Sequence, residues 1–365
     1  MHIGIYGTGQ LARMMAEAGQ SLGITFSFVK TPGDDSESIK GLGNVVTYSG
    51  HESAKAIFDA LGSPQIVTVE KEDVDLRLLS NLKNYCRVAP DPQAVSITQN
   101  RLEEKTFINN QGIPTVPFAE ASSPDDVLAS IKNLGLPVVI KSLEQGYDGK
   151  NQWTIKTEED IDKFVCQFPS QPLIVEKWVA FEAEVSMIAA RSLNGHVAFY
   201  PLTENKHQNG ILLTSKVPTL QFEKAFEEKA KSYLDKLLTE LNYVGVLAME
   251  CFIVDGELLV NELAPRVHNS GHWTQAGTSC SQFENHLRAI MGIVLGDTEL
   301  KTSTAMLNLL GKQVAERDIK LPNAQLHWYD KACKPARKVG HINIQHSEYS
   351  ELERNLNDLE KQIYQ

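Results

Sequence analysis

A chain of 365 residues with 42% hydrophobic and 22% charged residues has the composition of a soluble globular protein, long enough for two or three domains. Its formal charge of −11 argues against broad nucleic-acid binding, and its apolar runs fall far short of a membrane span. Five scattered cysteines (Cys86, Cys166, Cys251, Cys280, Cys333) lack metal-ligand spacing, and no secretory signal precedes the first strand, so a reducing cytoplasm is the expected compartment.

Residues 3–6 predict a strand, and Gly7-Thr8-Gly9-Gln10-Leu11-Ala12 turns it into a helix with Leu11, Met14, Met15, Ala18 and Leu22 at helical spacing. Gly23 stops the helix and residues 24–29 form the next strand. In such a βαβ opening, backbone N–H groups at the helix start could hold an anion. A dinucleotide site is one reading, but Lys30 and Thr31 stand where a ribose-binding acid is needed. Residues 66–70 read as a strand with Glu70 and Glu72 at its exit, either ligands for a polar molecule or solvated loop charges. Asp91-Pro92 starts a connection near a domain boundary at residue 95, residues 99–110 read as one helix, and prolines extend residues 112–117.

Residues 137–141 form a strand ending in Lys141, a phosphate ligand or a solvated terminus. The loop Glu144-Gln145-Gly146-Tyr147-Asp148-Gly149-Lys150 has two glycines and a cation, and could fold over phosphates before a return strand at 152–156. Residues 173–179 are a strand running into a connector whose backbone could read an adenine edge. Further strands lead to Pro201 and the polar run 203–210, and residues 222–241 are helical.

The stretch 249–266 says most. Two apolar runs flank Asp255-Gly256, a hairpin signal, and carry Glu250 and Glu262 at equal distance from Gly256. A strict two-residue turn sends these carboxylates to opposite faces, whereas an odd loop or a bulge brings them to one face. Facing carboxylates repel by about 4 kcal/mol at ~4 Å and an effective dielectric of about 20. A divalent cation removes that cost, and oxygen ligation favours Mg²⁺, which takes one or two carboxylates plus substrate phosphates. The alternative is an edge hairpin with two solvated glutamates. Arg266, His268, Asn269, Ser270, Gly271 and His272 follow directly, a polar run at a strand exit. Arg266 suits bidentate binding of phosphate or carboxylate. The two histidines raise zinc, without the cysteine or helical histidine pair that zinc usually takes.

Lys141 at a strand end, the Gly146-Tyr147-Asp148-Gly149 loop, the Glu176 connector and the Glu250/Glu262 pair together resemble the ATP-grasp superfamily. Within it, residues 261–273 (NELAPRVHNSGHW) are similar to the 5-(carboxyamino)imidazole ribonucleotide synthase family of purine biosynthesis. So are Gly9-Gln10-Leu11, Tyr200-Pro201-Leu202-Thr203-Glu204-Asn205, His327-Trp328-Tyr329-Asp330-Lys331 and Arg337-Lys338-Val339-Gly340-His341. The likeness spans nearly the whole chain. It departs at Gly7-Thr8-Gly9, where the family has three glycines in a row, and at Ala12, where it usually has glycine.

The resemblance implies an α/β and α+β architecture: a Rossmann-like N-terminal domain (1–95), a linker helix with a small ATP-grasp lid domain (96–180), and a C-terminal ATP-grasp domain with metal and acceptor sites (181–365). ATP would lie between the last two. The implied reaction begins with phosphorylation of bicarbonate by ATP to carboxyphosphate. The exocyclic amine of 5-aminoimidazole ribonucleotide is then carboxylated by carbon dioxide released in the site, and ADP and phosphate leave.

By the same likeness Arg101 and Lys141 reach the ATP phosphates, and Gly146, Tyr147, Asp148, Gly149, Lys150, Asn151 and Gln152 cover them. Glu176, Lys177, Trp178 and Val179 frame adenine, Glu184 holds the ribose, and His207 lies beside the nucleotide. Glu250 and Glu262 hold Mg²⁺, with Mn²⁺ as substitute, and Asn261 assists. Arg266, His268, Asn269 and Ser270 form the carboxyl-transfer site, and Tyr147 and Asp148 line the acceptor site. Lys331 and Arg337 bind the acceptor's phosphate, with Gln10 and Glu72 as further candidates from the first domain. The partners are then small molecules only, without nucleic acid or membrane, on a cytoplasmic homodimer. Competing readings are another ATP-grasp ligase (a formate-using transformylase or a biotin carboxylase), a nicotinamide-dependent oxidoreductase, and an inactive nucleotide-binding regulator.

Overall fold

The N-terminal strands β1 (His2–Tyr6), β2 (Thr25–Lys30), β3 (Gly43–Thr47), β4 (Ile66–Val69) and β5 (Arg87–Val88) make a parallel sheet in the order β3-β2-β1-β4-β5. They alternate with helices α1 (Gln10–Gln20), α2 (Ala54–Ala60) and α3 (Leu76–Leu82). Both faces of the central strands β1, β2 and β4 are covered, so these are buried nearly throughout, whereas the edge strand β3 is largely exposed. Ile3 and Ile5 pack with Leu11, Met14 and Met15 of α1, and Tyr6, Val67 and Val69 pack with Ile57, Leu78 and Leu82 on the other side. The computed structural model that shows this describes residues 1–144, 151–169 and 171–364. Gly146, Tyr147, Asp148, Gly149 and Lys150 of the expected phosphate loop lie outside the described residues, whereas Asn151 and Gln152 lie within them.

The start of α1 is not open to a free anion, contrary to the sequence expectation. The Glu70 carboxylate already sits there, accepting from Gly9 N–H at 2.8 Å and Ala12 N–H at 3.3 Å. The positive end of the helix is thus met from within the fold. The same carboxylate explains the glycines: a Cβ on Gly7 would stand 2.3 Å from Glu70 Cγ, and one on Gly9 2.8 Å from Oε1. Glu70→Ala is expected to destabilise the chain by about 2–3 kcal/mol, the scale of one good and one long hydrogen bond to a charged group. Denaturant unfolding measures it, and an unchanged midpoint would show that α1 does not depend on this cap.

Two helices follow, α4 (Pro92–Gln99) and α5 (Arg101–Asn110), where one was expected over 99–110. Asp91 caps the first through Gln93 N–H, with Pro92 at its opening position. Asn100 then leaves helical backbone and caps the second through Leu102 and Glu103 N–H.

Next come β6 (Phe118–Ala121), α6 (Pro124–Leu134), β7 (Val138–Ser142), β8 (Gln152–Ile155), α7 (Glu158–Val165) and β9 (Leu173–Lys177). These four strands form an antiparallel sheet, β6-β9-β7-β8, with Val127, Ile131, Ile161 and Phe164 of its helices packed on Val138, Ile140 and Val175.

The rest of the chain comprises β10 (Ala183–Arg191), β11 (Val197–Phe199), β12 (Thr203–Gln208), β13 (Ile211–Val217), α8 (Lys224–Glu240), β14 (Gly245–Val254), β15 (Glu257–Ala264), α9 (Thr274–Gly277), α10 (Gln282–Met291), β16 (Ser303–Leu310), β17 (Gln325–Trp328), β18 (Lys338–His346) and α11 (Tyr349–Tyr364). Among the described residues its strands order as β15-β14-β10-β12-β13-β16-β18-β17, with β11 on β10. Strand alternation divides the polar from the apolar. Val185, Met187, Met249, Cys251, Val260 and Leu263 face Leu234, Leu237 and Leu238 of α8. The register puts Glu184, Ser186, Thr203, Asn205, Glu250 and Glu262 together on the other face. Among the described residues, no helix is long and apolar enough to cross a membrane.

Candidate active site

The β14–β15 hairpin turns at Asp255 and Gly256, both with positive φ (49° and 76°), the backbone that suits strand twist. Val254 pairs with Glu257, and the ladder continues to Cys251 opposite Val260. There the register slips by one: Glu250 pairs with Glu262, leaving Asn261 as the extra residue of a bulge. A two-residue turn plus this bulge brings both carboxylates to one face, one of the two routes open from the sequence. Without the slip Asn261 would oppose Glu250, and Leu263 would turn away from its apolar core.

The bulge is held from outside. Lys105 Nζ donates to Asn261 O at 2.8 Å, Leu263 N–H donates to Glu104 Oε1 at 2.8 Å, and Val260 N–H donates to Pro114 O at 2.9 Å. These contacts cover the edge of β15 where another strand would otherwise pair. Lys105 also lies 3.3 Å from Glu176 Oε1, and Lys141 Nζ lies 2.7 Å from Oε2. Burial works to raise the Glu176 pKa, but Lys105 and Lys141 outweigh it and hold the carboxyl at about 2. One ammonium group therefore ties the end of the lid sheet to the backbone beside Glu262. Sequence reasoning missed Glu104 and Lys105, which are 3% and 1% exposed. The available signal was spacing: Glu104 is four residues, and Lys105 three, before the buried Ile108, so both share its face.

Negative charge accumulates around the pair. Glu250 is pushed up to about 7, first by burial and then by Glu262. Glu104 is raised by burial and by Glu262, and Glu72 by burial, which Arg266 partly offsets from 2.9 Å. Two facing hard-oxygen ligands that repel each other fit a Mg²⁺ ion. Among the described residues no three His, Cys, Asp or Glu side chains converge on one metal position, so the two carboxylates are the pair such an ion would meet there. The two histidines raised as zinc ligands part company: His268 Nε2 is 3.4 Å from Glu250 Oε1, while the His272 ring packs tilted against His341 in the core, 4.8 Å between centroids.

On the same face Glu184 Oε2 meets His207 Nδ1 at 2.5 Å, a contact that raises the His207 pKa against the effect of burial. Arg101 donates to Ser142 O at 3.0 Å, beside Lys141. Lys177 N–H and Trp178 N–H are engaged with Pro117 O and Pro137 O, Lys177 Nζ binds Gly135 O, and the Trp178 side chain is exposed. Past the hairpin, Arg266 is oriented by Glu72 and by Val267 O at 3.1 Å. His268 is made less basic by burial, by Arg266 and by Lys338, and Ser270 contacts its Nδ1. The Asn269 amide has both its oxygen and its nitrogen buried without a protein partner, the condition a bound polar ligand relieves.

Lys331 and Arg337 reach back to the N-terminal sheet. Lys331 Nζ donates to Gln10 Oε1 at the start of α1, and Arg337 Nη2 lies 2.9 Å from Asp35 Oδ2. Burial, with Arg337 nearby, lowers the Lys331 pKa. Gln10 thus meets Lys331, whereas Glu72 meets Arg266.

A lysine-bearing lid strand above a sheet with facing carboxylates, behind a parallel-stranded domain, defines an ATP-grasp ligase. Three family models agree: a ribonucleotide synthetase preATP-grasp domain matches residues 1–99, an ATP-grasp domain 106–283, and a phosphoribosylaminoimidazole carboxylase C-terminal domain 304–355. N5-carboxyaminoimidazole ribonucleotide synthase of Pseudomonas aeruginosa is 38% identical over 364 residues, 100% of this chain and 99% of that protein. The crystal structure of N5-carboxyaminoimidazole ribonucleotide synthetase from Thermus thermophilus matches with a TM-score of 0.93 and 40% identity, covering 100% of this chain and 99% of that one. The Aspergillus clavatus synthase, in complex with ADP and 5-aminoimidazole ribonucleotide, matches with a TM-score of 0.89 and 28% identity, covering 99% and 98%. The chain belongs to the N5-carboxyaminoimidazole ribonucleotide synthase family.

Proposed function

We propose that this site carboxylates the exocyclic amine of 5-aminoimidazole ribonucleotide with bicarbonate and ATP, giving N5-carboxyaminoimidazole ribonucleotide, ADP and phosphate for purine biosynthesis. The observation that carries this reading is the bulge at Asn261, which sets Glu250 opposite Glu262 immediately before Arg266, His268 and Asn269. A bicarbonate oxygen attacks the γ-phosphorus, the bond to the β–γ bridging oxygen breaks, and carboxyphosphate forms. As phosphate departs, the carboxyl carbon is released as carbon dioxide. The acceptor amine bonds to that carbon and gives up a proton.

Such phosphoryl transfer asks the protein for positioning and charge neutralisation. Lys141 and Arg101 supply cations to the phosphates. Glu184 accepts from the ribose, with His207 against it, and adenine is read by the carbonyls of the 176–179 connector and by Val179. Bound at Glu250 and Glu262, with Asn261 alongside, Mg²⁺ would neutralise phosphate charge. Arg266, steered by Glu72, stabilises the carboxyphosphate oxygens, and the unpartnered Asn269 amide offers a donor and an acceptor beside it. Lys331, Arg337 and Gln10 take the acceptor's phosphate. Tyr147 and Asp148, outside the described residues, are assigned to the acceptor by family likeness alone. Free cysteines, three of them at least partly buried, fit the proposed cytoplasmic setting, and the family likeness supports a homodimer.

The test is phosphate release with ATP, Mg²⁺ and bicarbonate, with and without 5-aminoimidazole ribonucleotide, and product identification by mass. Carboxylated product that requires both co-substrates is expected. Product with formate in place of bicarbonate would favour the transformylase reading.

Metal binding should depend on pH with a definite sign. With Glu250 pushed up to about 7, a proton and a cation compete for it. The affinity of the free protein for Mn²⁺, read by electron paramagnetic resonance, should rise about tenfold per pH unit towards 7 and level off above it. The folding contribution runs the other way. A carboxyl raised from 4.5 binds its proton more tightly when folded, so metal-free stability falls as pH climbs through about 4.5 to 7. A pH-independent Mn²⁺ affinity across that window would refute the pairing.

A further inference from the structure

The run 200–205, legible in the sequence but idle in the chemistry above, ends in a buried amide that leads to His268. Ser215 Oγ donates to Asn205 Oδ1 at 2.7 Å, and Asn205 Nδ2 donates to Ser186 Oγ at 2.9 Å. Ser186 Oγ lies 2.8 Å from Ser270 Oγ, which lies 2.9 Å from His268 Nδ1. Ser215, Ser186, Ser270 and Asn205 are all buried, so the links run away from bulk solvent.

One fixed donor sets the direction of the whole chain. The backbone N–H of Ser270 also points at His268 Nδ1, at 3.3 Å. An N–H can only donate, so Nδ1 carries the lone pair and the Ser270 hydroxyl donates to it as well. Ser270 Oγ then accepts from Ser186, Ser186 accepts from the Asn205 amide, and the Asn205 oxygen accepts from Ser215. Every buried group receives one consistent role. The His268 backbone is pinned separately: its N–H donates to Gln282 Oε1 at 2.8 Å, and Gln282 Nε2 donates to its carbonyl at 2.6 Å.

We infer that Asn205, acting through Ser186 and Ser270, is a positioning residue that joins the Ser270 N–H in holding His268 as the Nε2–H tautomer, so that its ring offers the transferred carboxyl group a hydrogen-bond donor instead of a lone pair. The inference rests on the placement of His268 in the carboxyl-transfer site. Nε2 is the nitrogen on the Glu250 side of the ring. A donor there stabilises charge on the carboxyphosphate oxygens, and it cannot take the proton that the acceptor amine releases.

Nitrogen-15 NMR of the ligand-free protein, labelled at its histidine rings, reads the tautomer directly, with His268 assigned by its absence in His268→Gln. The parent should show an unprotonated Nδ1 and a protonated Nε2. The opposite tautomer, or an even mixture, overturns the inference whatever the enzyme's activity. Asn205→Asp replaces the donor to Ser186 with an acceptor. The two hydroxyls then reverse, the Nδ1–H form grows, and carboxylation falls about 10- to 100-fold, the range seen when a partner that orients a functional histidine is lost. Ser186→Ala leaves Ser270 donating to Nδ1 and should keep the parent tautomer. An Asn205→Asp protein with the parent tautomer, or a Ser186→Ala protein with the reversed one, overturns the inference. If Asn205→Asp does not fold, the parent and Ser186→Ala spectra decide. Failure of the underlying site reading shows elsewhere, as full carboxylation by His268→Gln.

Discussion

Glu262→Ala should abolish ATP cleavage, lowering kcat/KM by at least about a thousandfold, in a chain that stays folded. The size follows from the chemistry of the pair. In the proposed site Glu262 is one of two carboxylates that would hold the metal, and losing about 4 kcal/mol of transition-state stabilisation is a factor of about a thousand in rate. The fold should tolerate the change because Glu262 is exposed, so its removal leaves no cavity. Removal also relieves the charge that helps push Glu250 up to about 7 and that raises Glu104. Thermal stability of the metal-free protein should therefore hold or rise slightly. Glu262→Gln, which keeps the volume and loses the charge, should behave alike in turnover. Phosphate release at saturating Mg²⁺, beside a thermal melt, checks both halves. Turnover within a few-fold of the parent would remove the metal assignment, and a collapsed melt would show that Glu262 supports the bulge instead.

The same hairpin marks how far the residues alone reach. The Asp255-Gly256 turn and strand alternation leave two geometries, and a carboxylate at each mirrored position makes one of them interesting. The choice between them is not local. Nothing in Val260-Asn261-Glu262 marks an extra residue, and the contacts that hold it come from Lys105 and Glu104, 156 and 159 residues away in sequence from the groups they touch. The start of α1 fails for a similar reason. A glycine turn reads alike whether a phosphate or a side-chain carboxylate fills it, and Glu70 lies 61 residues from Gly9. Asn100 was misread because a polar residue inside a helical pattern carries the same signal as a cap. The parallel opening, the hairpins and the polar run after Glu262 were legible because periodicity and turn chemistry are local. The roles of Lys331 and Arg337 came from family likeness, since a basic loop far along the chain has no physical link to residue 10 until the fold supplies it.

Arg337→Ala should raise the KM for 5-aminoimidazole ribonucleotide about 10- to 100-fold. The acceptor's phosphate is dianionic and remote from the amine that reacts, so it needs cations away from the carboxyl-transfer residues. Arg337 and Lys331 stand over the start of α1, with Asp35 and Gln10 as their present partners. Those partners hold them lightly. The Arg337–Asp35 pair is partly solvated, a class of ion pair worth about 0–1 kcal/mol, and Lys331 has a neutral amide where burial lowers its basicity. A phosphate oxygen is the stronger acceptor for both, and each charge-assisted hydrogen bond is worth about 1.5–3 kcal/mol. That range gives the expected fold-change. The KM for ATP should stay within about twofold, because the proposed nucleotide site is at Lys141, Glu184 and Glu262, and any acceptor-independent ATP hydrolysis should survive. Asp35→Asn supplies the control with opposite sign: freed of a competing carboxylate, Arg337 should bind the phosphate at least as well, and the acceptor KM should hold or fall. A KM unmoved by Arg337→Ala, or ATP binding lost in equal measure, would make this stretch a structural tie between the first and third sheets. The Gln10–Lys331 contact would then be its seam.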